Sequence, residues 1–541
     1  MSENKKSLIK SGISLSAITF LSRIMGLIRE ITKASFLGTS MYADAFTTSF
    51  MLPNLLRRLF AEGSISVAFI PTFKKYLAKE QTPENRRETQ EFLAATFTLV
   101  TFCTTCVVVL GVLFAPLITL LFCHKPNPEV ADYAEQLVLW TLKKDEITLL
   151  TRIMAPYLLF ISIAAFFQGI LNSEKIFAPS GFTPVLLNGI VILSTYLLSP
   201  YTANPARAMS IGVILGGFVQ AAFQWPFVHK TGWKIALTSL KKTFSNPGTK
   251  QVLLLIGPTI IGMAAYQLNN LVSTSVASNI GEGYASSLEY SLRLQELILG
   301  IFAVSISTVI LPDMSVMASK KDWKAYNELL SQAVRIIIMI SVPVTAFSLF
   351  AGKELICLVF KTNSFNDHSV MLTLGEFRFH IAGLLFIALN RIISPAFYAQ
   401  GNTKLPTLAG IISVGFNILF VFIFVWPMKG NGIALALSLA SAVNTLFLMI
   451  FMGKKEEFDL KGLVKSMVPY TLKLVVLSVI AVIPPVFMMK PLLEKFAGHH
   501  RFISYGIPVA LCGIVFAAIG VALLMITGDN SMKKIVKKLK R

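Results

Sequence analysis

Apolar segments long enough to cross a bilayer recur from one end of this 541-residue chain to the other. About fourteen are found, from 12–37 and 45–76, through 251–280 and 285–312, to 464–488 and 503–527. In hydrocarbon every backbone amide and carbonyl must find its partner inside the protein, so runs of about 20 apolar residues fold as helices. Composition leaves room for little else. The chain is 54% hydrophobic and 14% charged, against about 25% charged in soluble domains. The sequence therefore predicts an all-α polytopic membrane protein without a sizeable soluble domain.

The net charge of +21 would point to nucleic acid in a soluble domain. Here the basic residues lie mostly in short loops and the C-terminal tail, where they set topology. With the N-terminus in the cytoplasm, the inner loops hold Lys74, Lys75, Lys79, Arg86 and Arg87, then Lys230, Lys234, Lys241, Lys242 and Lys250. Lys320, Lys321 and Lys324, and later Lys454, Lys455, Lys461 and Lys465, follow the same side, as does the tail Lys533–Arg541. One outer loop instead carries Glu129, Asp132, Glu135, Asp145 and Glu146. The loop around Lys490, Lys495 and Arg501 is a mild exception. This alternation predicts an even number of spans and both termini inside. The basic start, with no small-x-small cleavage pattern and an Arg inside the apolar run, reads as an uncleaved first helix.

Short echoes suggest a duplication. Ser64-Ile65-Ser66 precedes Pro71 at the same spacing as Ser305-Ile306-Ser307 precedes Pro312, and Pro179 with Asn188 is echoed by Pro406 with Asn417. The expected organisation is a six-helix half over 1–229, a cytoplasmic linker over 230–250, a second six-helix half over 251–453, and two further helices with a basic tail over 454–541. Transporters built from repeats place their sites between the repeats.

Charges inside the apolar segments carry the chemistry. Arg23, Arg29 and Glu30 lie within the first one. Such a charge costs roughly 2.5–3.5 kcal/mol near a bilayer centre. At about 100° per residue, Gly12, Ser16, Thr19, Ser22, Arg23, Gly26, Arg29, Glu30 and Lys33 share one polar wedge. The second segment holds Pro53, Arg57, Arg58 and Glu62, preceded by Asp44, and the eighth has Glu289, Arg293 and Glu296 at helical spacing. Pro53 is expected to kink its helix. An ion-pair ladder that only fastens helices is one reading of these charges. The other is a substrate site, because Arg stays charged and offers a planar fork that grips phosphate or carboxylate.

Other chemistries find no support in the sequence. It has no phosphate-loop motif and no H-E-x-x-H. Cys103 and Cys106 have CxxC spacing, but within an apolar run and without a second pair they read as packing. No metal and no cofactor are expected. Glu376, Arg378, His380 and Arg391 read equally as second-half cavity residues or boundary charges. An integral-membrane enzyme on polyprenyl phosphates would need a clustered acid/base or metal set, which is not seen, so the chain is expected to transport rather than catalyse.

The run Ser22-Arg23-x-x-Gly26-x-x-Arg29-Glu30, then Asp44-Ala45-Phe46, then the stretch from Leu52-Pro53-Asn54 to Glu62-Gly63 with Phe69-Ile70-Pro71, resembles the MurJ (MviN) lipid II flippases. Arg293, Ile310-Leu311-Pro312 and Ala396-Phe397-Tyr398-Ala399 with Lys404 and Pro406 extend the resemblance over nearly the whole chain. It implies a fourteen-helix fold of the multidrug/oligosaccharidyl-lipid/polysaccharide exporter superfamily, with alternating-access export of lipid-linked peptidoglycan precursor across the bacterial inner membrane. It also implies that Arg23, Arg29, Arg57 and Arg293 line a central cationic cavity for the diphosphate headgroup, and that helices 13 and 14 form a groove for the lipid tail. Ser22, Glu30, Asp44 and Glu296 complete the candidate substrate-binding set. Lipid II, membrane lipids and other cell-wall synthesis proteins are the partners expected, and nucleic acid is not. Glu30 stands where the family usually has Asp, and Leu292 where it often has Asp. Asn269, Asn270 and Asn444 stand where some members have sodium-site carboxylates. The rival readings are a flippase for another polyprenyl-diphosphate glycan and a drug/cation antiporter; the excess of Arg argues against the antiporter.

Overall fold

In the computed structural model the described residues are 3–59, 67–80, 82–129, 132–529 and 532, with side chains described outside 3–17, 257–266 and 301–310. Glu62, the Ser64-Ile65-Ser66 echo, the side chains of Ser305-Ile306-Ser307 and the tail from Lys533 onward lie outside the described residues. The chain divides into two compact units, Met1–Ala285 and Ser286–Arg541.

The first unit contains α1 (Glu3–Leu37), α2 (Met41–Leu56), α3 (Ile70–Leu77), α4 (Pro83–Leu113), α5 (Ala115–Thr119), α6 (Tyr133–Met154), α7 (Tyr157–Ser173), α8 (Ala178–Leu198), α9 (Pro205–Lys230), α10 (Leu240–Ser245) and α11 (Pro247–Asn279). Here α8 packs on α1 and α9, α7 on α4 and α9, and α2 on α6. One core holds Phe46, Leu150, Met154, Tyr157 and Met209. A second is aromatic, with Phe69, Phe73, Phe92, Phe166 and Trp233.

The second unit contains nearly all of α12 (Tyr284–Ser319), then α13 (Trp323–Phe350), α14 (Gly352–Phe360), α15 (Asp367–Ala382), α16 (Leu384–Ala399), α17 (Lys404–Met428), α18 (Gly430–Gly453), α19 (Leu460–Lys495), α20 (Arg501–Ser504) and α21 (Gly506–Ile526). In it α13 packs on α16 and α19, α18 on α15, α16 and α17, and α21 on α19. Leu472, Val476, Val479 and Ile483 of α19 are all exposed. Their spacing of three to four makes one continuous stripe, as expected of a helix face turned to lipid.

The all-helical membrane fold predicted from the sequence is what forms. Among the described residues nine helices are long and apolar enough to cross a membrane, or ten if the pair α15 and α16 is one bent span. The 35-residue α1 has the length but carries the charged wedge.

Three local features differ from the apolar pattern. The stretch 133–146, expected as outer loop, is already helix α6; its buried Glu146 is neutralised by a partner described below. The segment 371–400 bends by 42° between α15 and α16. Gly383 stands at the break, where an added Cβ would collide with Ser438, so only glycine lets α18 approach this closely. One turn after Pro53, residues 57–59 take a π-helical turn.

Candidate functional site

The C-terminal part of the α1 wedge, from Gly26 to Lys33, faces α2 and α8. Glu30 is 2% exposed and one carboxylate oxygen lies 2.6 Å from the Arg29 guanidinium. The other lies 3.3 Å from the Lys33 ammonium, one turn on. Arg29 also donates to Asn188 Oδ1 of α8 at 3.1 Å, and its guanidinium stands 5.9 Å from the centre of the Phe50 ring. Lys33, equally buried, donates to Thr47 Oγ1 of α2 at 3.2 Å. Gly26 lies on this seam, where an added Cβ would make an ordinary 3.7 Å contact with the Asn188 amide nitrogen. One buried carboxylate thus serves two cations and leaves the cluster with one net positive charge. Burying Glu30 alone would cost several kcal/mol; two cationic neighbours are what make it tolerable.

The other candidates fall in different settings. Arg23 is exposed and Ser22 partly buried on the same helix. Arg57 lies in the π-helical turn, donating from Nε and Nη2 to Asn54 Oδ1 at 3.2 and 3.0 Å. Asp44 is fully buried and accepts from the Gly283 amide at 2.6 Å. Glu282 beside it accepts from the Met41 amide at 2.8 Å, so together these two fasten the start of α2 to the loop after α11. In the second unit Arg293 donates to Glu296 at 2.8 Å and lies 3.9 Å from Glu289, a ladder along α12. His380 shares a 2.6 Å hydrogen bond with Ser291, and Gln295 donates to the His380 carbonyl. This joins α15 to α12. Arg378 and Arg391 are exposed.

Lys33, Thr47, Phe50 and Asn54 were not singled out as site residues from sequence. Lys33 was already in the polar wedge, and its spacing from Glu30 was the available signal. Asn188 stands out in the sequence only as part of a repeat.

A different ion pair supplies the contrast. Glu146 of α6 accepts from Arg207 Nε and Nη2 of α9 at 3.0 and 2.7 Å and from the Asn204 amide at 2.9 Å. All its partners are structural groups: Glu146→Ala leaves the one-third-exposed Arg207 guanidinium to water and takes the acceptor from the buried Asn204 amide, which together should cost about 2 kcal/mol. The expected result is a loss of purified protein, with activity per surviving molecule unchanged within about twofold; a selective loss of activity at normal abundance would contradict it.

The second unit also carries an apolar groove along α19. One cavity of about 510 Å³ is lined by Val342, Leu349, Leu385, Val475 and Val479, among others. A second of about 320 Å³ is lined by Phe386, Leu389, Leu446 and Leu472, among others. The two share Leu385 and Thr471.

Comparison with known proteins places the fold first. An inward-facing structure of a multidrug resistance MATE family transporter of the MOP superfamily matches with TM-score 0.64 at 14% identity, covering 84% of this chain and 99% of the other. That match shows a shared fold. A solved structure of lipid II flippase MurJ in an inward closed conformation matches with TM-score 0.74 at 26% identity, over 95% of this chain and 99% of that one. The family model described as lipid II flippase MurJ matches residues 33–500. A probable lipid II flippase MurJ from Treponema pallidum (strain Nichols) is 42% identical over 541 residues, 99% of each chain. Another from Vibrio cholerae serotype O1 is 33% identical over 82% of each. The chain belongs to the lipid II flippase MurJ family.

Proposed function

We propose that this chain flips lipid II from the inner to the outer leaflet of the bacterial cytoplasmic membrane by alternating access. The observation that carries the reading is the setting of Arg29. Its guanidinium is oriented by Glu30 and Asn188, yet its side chain keeps 16% of its surface open. A fork held in this way loses little entropy when it grips a diphosphate. Arg23 and Arg57, with Ser22, are the proposed further contacts in the first unit. Arg293, flanked by Glu296, is the proposed contact from the second. Glu30 and Asp44 are buried and act through their neighbours. The groove along α19 has the apolar lining that a polyprenyl tail requires, so the tail is assigned there.

The proposed organisation is two homologous halves, 1–229 and 251–453, joined by the linker 230–250, with 454–541 added for the tail. No reaction step is assigned to the chain, and cell-wall synthesis enzymes are its proposed neighbours. The deciding experiment reconstitutes the pure protein into vesicles with labelled lipid II, other polyprenyl-diphosphate glycans, or organic cations. Movement of lipid II in preference to the rest is expected. Preferential movement of another glycan or of cations would overturn the substrate.

Both termini and the 230–250 segment are proposed to be cytoplasmic, from the Lys alternation. Reporter fusions at each terminus and within 230–250 should all read cytoplasmic; a terminus read on the outside would break the even count of spans.

A further inference from the structure

The segment that leads from α9 to α11 is strapped down along α4. The Trp233 indole donates to Glu174 at 2.9 Å, and the Arg86 guanidinium lies 5.8 Å from its ring. The Lys234 amide donates to Gln90 Oε1 at 3.0 Å, and the Gln90 side chain donates back to the Lys234 carbonyl. Four residues on, the Thr238 amide donates to Thr98 Oγ1 at 2.9 Å. Gln90 and Thr98 are two turns apart on α4, about 12 Å, so residues 234–238 run down that helix almost fully extended. The Thr96 and Thr249 hydroxyls then meet at 3.4 Å as α11 begins.

This descent has a depth. Residues 83–91 of α4 hold Glu84, Arg86, Arg87, Glu88 and Glu91, and no charged residue follows from Phe92 to Leu113. Thr98 therefore lies about 10 Å beyond the last charge of α4, inside the uncharged apolar stretch of that helix. At that level Leu237, Leu240 and Phe244 are 65%, 40% and 45% exposed, while Thr243 of α10 is buried toward the protein. Lys234, Lys241 and Lys242 are exposed on the same segment and form none of the ion pairs found among the described residues. Apolar side chains at the acyl boundary beside lysines that reach outward are the pattern of an interfacial anchor.

We infer that residues 234–246 form a binding site for anionic phospholipids of the cytoplasmic leaflet. Leu237, Leu240 and Phe244 enter the acyl boundary, and Lys234, Lys241 and Lys242 meet the phosphates. The choice of lipid follows from charge complementarity, since three cations without a counter-charge select anionic over zwitterionic headgroups. The leaflet rests on the orientation proposed above; the lipid preference does not.

The test titrates purified full-length protein in neutral detergent with short-chain phosphatidylglycerol and, separately, phosphatidylcholine, with bound lipid read by native mass spectrometry. Phosphatidylglycerol should bind more tightly, and the preference should shrink as salt rises. Each lysine removed should weaken it about fivefold, and Lys234→Gln, Lys241→Gln and Lys242→Gln together on the order of a hundredfold. The charge-matched triple Lys454→Gln, Lys461→Gln and Lys465→Gln should change it less than about threefold. If the first triple variant does not purify folded, Lys241→Gln alone and the salt titration of the unaltered protein read the same property. Equal affinity for both lipids, a preference insensitive to salt, or an equal loss in the control triple would each overturn the site. The readout is lipid binding in detergent, so it fails independently of the flipping assay and of the reporter fusions.

Discussion

Arg29→Ala should lower lipid II flipping in vesicles by on the order of a hundredfold or more while leaving most of the protein folded. Two charge-assisted hydrogen bonds to a diphosphate, at about 1.5–3 kcal/mol each, set that scale. The fold is spared because Glu30 keeps its second cation: Lys33 remains 3.3 Å from the carboxylate, so no buried charge is stranded. Arg293→Ala should behave alike. Its partners lie along its own helix and its side chain is one-third exposed, a setting in which ion pairs contribute about 1 kcal/mol or less. Arg29→Lys should recover only part of the rate, because an ammonium cannot hold Glu30 and Asn188 and still present a planar fork. The measurements are purified yield, thermal stability and flipping rate for each variant. A fall in abundance that matches the fall in transport would make both arginines structural fasteners and remove them from the substrate site.

The part of this cluster that was legible in the sequence is the part fixed by helical periodicity. Arg29, Glu30 and Lys33 share a face because 100° per residue puts them there, whatever α1 packs against. The partners that fix their geometry were not legible. Asn188 lies 159 residues from Arg29, and its contact exists only because α8 packs on α1. Thr47 was one of several hydroxyls on α2, and nothing in its local sequence sets it apart. The break at Gly383 was missed for a similar reason. A glycine within an apolar run is common, and its role came from Ser438 on a helix that reaches it only in the folded unit.

Glu30→Gln should tighten substrate binding severalfold and slow flipping about tenfold. In the native cluster one carboxylate stands between two cations, so the site offers an arriving diphosphate one net charge. Gln removes that charge and also turns an amide N–H toward either Arg29 or Lys33, donor against donor. The two cations then repel, at a cost of about 3 kcal/mol to the fold, and the repulsion is relieved when an anion binds. A diphosphate therefore gains affinity but loses its means of release, and turnover falls. Lys33→Met placed on Glu30→Gln separates this account from its rivals, because it restores the net charge of one without restoring the carboxylate. If charge balance governs, the double variant regains stability and its affinity returns toward that of the unaltered protein, a strong non-additivity between neighbours. A carboxylate that touches the headgroup directly would instead leave both variants binding lipid II more weakly, and that result would move Glu30 from a positioning residue to a substrate ligand.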